Sequence, residues 1–373
     1  HRDNRKGLDV TMKKGKIVWL AAAGILLAGG LALFISAFAM VGGDLEKLST
    51  EKIWEEKHYT AAAENIHRID ASEENMRIVL VPSADSDIHI TYFENDTETC
   101  SIEETADGTL SLQRRSSKKW YQKIGVMLLT GWKQDRRLEI AVPNGHACDI
   151  QAESTNGSVE AADLSLGGEL TLTTTNGSIA AEMLNLSGSC TLSATNAGIT
   201  CKNISAEGVL TAATKNGPVD MKTCKSGSAV TVKTANAPVT LADIQAADAV
   251  RVSTRNGALS IDMLRAKELE ADTRNGRLTL SRTATDGSTR AETANGGLKI
   301  NGIEAGSDIY LRNSNGAVTG TIQGDFSDYS ITSKTSNADS NLPAHGGNGD
   351  KLLEVETSNG RIDIEFTDPL SES

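Results

Sequence analysis

Hydrophobic and polar positions repeat at a fixed step from Ile150 to Phe366. The marker of the step is an asparagine, usually followed by glycine: Asn156, Asn176, Asn196, Asn216, Asn236, Asn256, Asn275, Asn295, Asn315, Asn337 and Asn359. The spacing is 20 residues at seven steps, 19 at one and 22 at the last two. Six and four residues before each marker stand apolar or small residues, such as Leu170 and Leu172 or Val250 and Val252. Two residues before it threonine dominates, as in Thr174, Thr214, Thr254 and Thr293. Alternation of this kind marks a β-strand with one buried face. It resumes three and five residues after the marker, as in Ile179 and Ala181. A shorter apolar pair follows, as in Leu184 and Leu186, and then Gly168, Gly188, Gly208 or Ser228 closes the unit.

Each unit therefore reads as a rung of three short strands and three turns. A single rung cannot bury its own apolar face, so rungs must stack. The pattern predicts an all-β fold: a parallel β-solenoid of about 11 rungs with a period of ~20 residues. The marker asparagines are expected to stack as a buried ladder of side-chain amides at one turn. Glycine after them is expected to supply a left-handed or otherwise strained backbone, although Ala197, Ala237 and Ala338 replace it in three rungs, so positive φ is not obligatory there.

Upstream of the array the alternation is less regular. Residues 67–149 read as an N-terminal β cap, with strands at Met76–Val81, Ile88–Tyr92, Leu110–Gln113 and Leu138–Val142. Within it, Lys118–Trp132 is the most apolar stretch after the first 41 residues and reads as a plug for the open end of the solenoid, with contact to a bilayer as the alternative. Residues 42–66 read as a polar linker, helical in part around Leu45–Lys57. Ile17–Val41 carries no charge, follows Lys13, Lys14 and Lys16, and precedes Asp44 and Glu46. That is long enough to cross a bilayer, and the flanking charges place the N-terminus in the cytoplasm. The expectation is one transmembrane helix over 17–41, a basic cytoplasmic tail over 1–16, and the rest outside. Residues 1–11, ahead of Met12, read as an extension. Secretion after cleavage near Ala39, in Ala37-Phe38-Ala39, is the alternative. Residues 367–373 form a polar tail.

Composition narrows the partners. The net charge of −12 argues against nucleic acid, and the 4% aromatic content suits a core too thin for large rings. The six histidines show no metal-ligand spacing, and no glycine loop lies between a strand and a helix, so no cofactor is expected. A carbohydrate-active enzyme would need carboxylates gathered on adjacent rungs; Asp220, Asp243 and Asp262 are near in sequence but fall in different columns. Five cysteines make an odd set. Cys190, Cys201 and Cys224 occupy inward columns and read as small buried hydrophobes, and Cys100 with Cys148 is the one pairing left open. The residue just before each marker points outward. There Lys215, Arg255 and Arg274 form a basic column suited to a polyanion, unless Asp262, Glu270, Asp272 and Glu292 neutralise it.

Several stretches together resemble one known family. They are Gly42-Gly43-Asp44, Val79-Leu80-Val81-Pro82, Lys119-Trp120-Tyr121 with Ile124-Gly125, Leu138–Pro143, and the Thr-x-Asn-Gly rungs. From Met12 onward the chain is similar to the "putative adhesin" β-strand-repeat proteins of bacterial envelopes, a domain of unknown function. The resemblance implies an exported or membrane-tethered β-solenoid without catalytic motifs. The expected role is an adhesin-like interaction or structural module, with a single-pass membrane anchor and a cell-wall polymer or membrane partner protein as its contacts. An accessory sensor of envelope stress is the second expectation, and a carbohydrate-active β-helix enzyme the third.

Overall fold

A computed structural model describes residues 19, 23–32, 34–36, 39, 54–117 and 136–367. The described positions before residue 40 are helical, and no helix among the described residues is long and apolar enough to cross a membrane. The rest of the 17–41 span and the whole of the apolar stretch 118–132 lie outside the described residues.

The remaining described residues build two facing sheets of fifteen strands each. In the array each rung gives one strand to each sheet. The strand before the marker, such as Leu170–Thr174, joins the upstream sheet. The strand after it, such as Ile179–Leu186, joins the downstream sheet. Neighbouring rungs pair parallel and in register, Leu170 opposite Ile150 and Cys190, Ile179 opposite Val159 and Ile199. Between the sheets, the inward columns are almost wholly excluded from solvent, with Leu170, Leu172, Val250 and Leu259 at 0% exposure.

A rung thus has two strands and two turns, not three of each. The second and third segments of the sequence pattern are one strand of eight residues with a kink. Seven residues after the marker, Asp163, Met183, Asn203, Thr223, Asp243, Met263 and Arg282 all have φ between 48° and 58°. One left-handed residue in a strand shifts the alternation by one, as a bulge does. The inward positions therefore run three, five, eight and ten after the marker, as in Ile179, Ala181, Leu184 and Leu186. The strands from Ile179–Leu186 to Leu298–Ala305 share the kink, with Gly302 at φ 66° in the last, and keep register with one another, Glu182 opposite Lys202 and Leu184 opposite Ile204; against Val318–Gln323 the register shifts.

The array has about ten turns, and its ends are threaded out of order. At the start, Arg68–Glu73 pairs with Asp149–Ser154 on one side and with the later strand Thr109–Ser116 on the other. Arg77–Pro82 likewise lies between Val159–Ala162 and Arg137–Val142. At the far end, Lys351–Glu356 pairs with Ile309–Asn313, and the earlier strand Tyr329–Lys334 sits outside it. In the upstream sheet, Arg68–Glu73 and Lys351–Glu356 are thus each held beneath a strand made from more internal sequence.

Antiparallel strands close the first end. Glu55–Ala62, which the sequence placed in a linker, pairs with Asp87–Glu94, and Glu98–Glu104 pairs with Thr109–Ser116. Both outermost strands carry several charged side chains, which discourages further strand addition. In the rung of Arg68–Glu73 the threonine column holds Glu73, and the next strand offers Arg114 in the same column. Their side chains are 1% and 6% exposed and meet at 2.6 Å, while Arg114 also donates to the Phe93 carbonyl at 2.7 Å. At the other end, Phe326 and Tyr329 pack on Phe366 with ring centroids 5.6 and 5.7 Å apart. The Asn341 side chain covers the last edge strand: Nδ2 donates to the Ile364 carbonyl at 2.8 Å and Oδ1 accepts its N–H at 3.0 Å.

Candidate functional site

Two ladders line the marker turn. Each marker Nδ2 donates to the Oδ1 of the marker on the adjacent rung, through eleven bonds of 2.7–2.8 Å. The run begins at Asn75, a marker that the sequence pattern did not reveal, and its final order is Asn315, Asn359, Asn337. All these asparagines are solvent-exposed, so the expectation of a buried ladder is corrected.

The buried partner is the threonine two residues earlier. Thr254 Oγ1 donates to the Ala237 carbonyl at 3.2 Å and accepts the Gly257 N–H at 3.2 Å, and Thr174, Thr214 and Thr357 repeat the pair of bonds. Glycine after the marker is not left-handed. A Cβ at Gly257 or Gly276 would stand 1.8 Å from the carbonyl oxygen of the preceding rung, so the turn selects glycine for close approach.

Out-of-phase positions of the upstream sheet face solvent, and there the surface changes character along the array. After Asp149 and Glu153 on the first rung, the next strands show neutral residues there: Thr171, Thr173, Thr191, Ser193 and Thr211. From Arg251 onward it becomes densely charged and encloses a trough of about 910 Å³. Arg251, Arg274, Arg290 and Arg312 line it beside Glu268, Glu270, Asp272, Glu292 and Glu356. Much of this charge is paired internally: Arg251 reaches Glu270 at 3.7 Å, Arg290 bonds Glu292, Arg312 bonds Glu354, and Lys334 reaches Glu356 at 3.7 Å.

One rung supplies the exceptions. Glu268, Asp272 and Arg274 have no ion pair among the described residues, and neither has Arg255 on the neighbouring rung. Partial burial by the trough raises the Asp272 pKa above the usual carboxylate value, and Glu270 and Glu292 add to the shift, while Lys233 opposes it.

The basic column is therefore only partly gathered. Thr254 and Thr273 are register partners, which sets Arg255 and Arg274 side by side, and Arg274 lines the trough. Lys215 lies two rungs before Arg255 and outside the trough. The acids named as its neutralisers are engaged elsewhere or unpaired: Glu270 with Arg251, Glu292 with Arg290, Asp262 with Arg282. The alternation Glu268-x-Glu270-x-Asp272-x-Arg274 carried this site in the sequence, but only the outward phase of all four makes it visible. Asp220, Asp243 and Asp262 stay in three separate outward columns of the downstream sheet. Among the described residues no three His, Cys, Asp or Glu side chains are grouped to hold a metal ion.

A family profile, Toastrack DUF4097, matches residues 66–365 and so spans most of the chain, the trough included. The chain belongs to the Toastrack DUF4097 family. Two crystal structures are also similar. One is of a "putative cell adhesion protein" from Clostridium sporogenes, 8% identical, with 84% of this chain and 100% of that chain covered and a TM-score of 0.24. The other is of a "putative adhesin" from Bacteroides fragilis, 13% identical, with 85% and 99% covered and a TM-score of 0.29. At these values neither carries an argument for fold or function. No curated protein matches the chain.

Proposed function

We propose that this Toastrack protein is an adhesin-like interaction module of a bacterial cell envelope. It is held in the cytoplasmic membrane by residues 17–41 with its solenoid outside, and it engages a wall polyanion through Arg255 and Arg274. The observation that carries the reading is the pair itself. Two unpaired guanidinium groups occupy adjacent rungs of a chain with a net charge of −12. Like charges side by side in a ladder repel, so a purely structural surface gains nothing from them, whereas an anionic polymer lying along the rungs would neutralise both. Lys215 extends the column for a longer polymer. The apolar run 17–41 and its basic flank support the membrane placement.

Binding of the full chain in detergent to purified poly(glycerol phosphate) across a salt series tests the reading. Binding that weakens with salt, and is lost in Arg255→Ser/Arg274→Ser, is expected. Absent binding, or binding unchanged in the double variant, overturns it.

A further inference from the structure

A plain polyanion would use only part of the trough. Arg274 and Arg255 would attract one, yet Asp272 stands two residues from Arg274 on the same face, with Glu268 and Glu270 beyond it. A polycation fits no better, because Arg274 lines the trough and Arg255 stands beside it on the next rung. The internally paired groups, Arg251 with Glu270 and Arg290 with Glu292, frame the floor and leave it little net charge. What remains unsatisfied is two carboxylates, Glu268 and Asp272, and one guanidinium of a single rung, with a second guanidinium on the next.

Alternate residues of a strand lie roughly 6.5–7 Å apart on one face, and adjacent rungs about 4.8 Å apart. A ligand that satisfies this pattern carries an ammonium group and an anionic group within one short repeat. Glu292, stacked beside Asp272, leaves the ammonium end in a field of carboxylates. A trough of about 910 Å³ is large enough for several such repeats and is open to a chain that continues along the sheet.

We propose that the trough over Glu268–Arg274 binds a linear phosphate polymer whose units carry amino groups, with an ammonium at Asp272 and a phosphate at Arg274 and Arg255. The site rests on the polyanion reading above and refines it: the phosphates supply attachment, and the ammonium groups supply selection. The unpaired carboxylates Glu268 and Asp272 repel the bare polymer and favour the substituted one, which is specificity by charge exclusion as well as by attraction.

The test uses the full chain and two probes, poly(glycerol phosphate) esterified with alanine and the same polymer after mild alkaline removal of the esters. Wild-type protein is expected to bind the aminoacylated polymer about tenfold more tightly than the stripped one, about 1.4 kcal/mol. Asp272→Asn should abolish that preference while still binding the stripped polymer, Asp272→Lys should reverse it, and Arg274→Ser should weaken both. The Asp272 side chain is solvent-accessible, so neither change at that position disturbs the core. Equal affinity of wild type for the two polymers overturns the selection by Asp272 and leaves the polyanion reading standing. An unchanged preference in Asp272→Asn also overturns it. Failure to bind either polymer overturns both.

Discussion

At the scale of single residues, the two ladders of the marker turn differ in what they hold together. The asparagine bonds are exposed, and an exposed amide that loses its partner finds water. The threonine hydroxyls are buried, and each satisfies two backbone groups that water does not reach. Thr254→Val should therefore cost about 1–3 kcal/mol, since it strands the Ala237 carbonyl and the Gly257 N–H, whereas Asn256→Ala should cost only about 0.5–1.5 kcal/mol. Urea midpoints of the two variants decide it, and a larger loss in Asn256→Ala would return the main role to the exposed amides. The cysteines are a second residue-scale case. All five are free thiols, and Cys190, Cys201 and Cys224 are buried in inward columns. Burial pushes Cys190 up to about 12 and Cys224 up to about 11, and places Cys201 well above the ordinary thiol value. An unfolded cysteine ionises near ~8.5. The folded values are raised, so the linked stability is fully present below the unfolded value and is lost as pH rises towards 11–12. Stability should fall between about pH 8.5 and 11, and Cys190→Ala should flatten part of that slope. An identical slope in the variant would place the alkaline loss elsewhere.

At the scale of elements, the terminal rungs explain how a stack without covalent cross-links keeps its ends closed. A last rung paired on one side alone would fray. Here Lys351–Glu356 is paired on both sides, and the strand that covers it is tied at its own start by packing of Phe326 and Tyr329 on Phe366. Deleting residues 351–373 should therefore release more than the deleted rung. Tyr329–Lys334 would lose its partner, and amide exchange should become fast over 325–350 while Leu259–Leu280 stays protected. Protection of 325–350 in the truncated protein would mean that this segment docks directly on Ile309–Asn313. The period, the inward columns and the turn chemistry were legible in the sequence because each is set by residue type. The order of the last two rungs was not, because Asn337 and Asn359 head repeats with the same inward pattern and either could follow Asn315. The rung at Asn75 was hidden because Glu73 replaces threonine and its partner Arg114 arrives after an intervening hairpin. The kink was hidden because Asp, Met, Asn, Thr and Arg all occupy it; it is a property of the strand's register with its neighbours, with no residue type to mark it. The trough was half visible: the basic column stood out, but its acidic companions in the same rung looked like its neutralisers until their pairings were known.

At the scale of the whole molecule, the surface is divided by charge. The neutral threonine and serine face that follows the first rung gives way to the charged trough, and the chain carries an excess of acid on which Arg255 and Arg274 stand as a local exception. A module of this kind is useful only where wall polymer can reach it, so topology is the property on which the proposed function depends most. The flanking charges of residues 17–41 predict that everything after residue 42 lies outside the cytoplasmic membrane and stays attached to it. Lys47 and Lys52 fall between that run and the first strand of the fold, Glu55–Ala62. Trypsin added to intact, wall-stripped cells should therefore cut there and shed a soluble fragment that begins near residue 53. Before trypsin the protein should sediment with membranes, and carbonate washing should not remove it. Release of the fragment only after the cells are lysed would place the array in the cytoplasm and end the proposed function. A wild-type product already soluble, with an N-terminus at Met40, would instead show cleavage after Ala39 and a secreted module. The polymer site would then remain, but without a tether to hold it at the membrane.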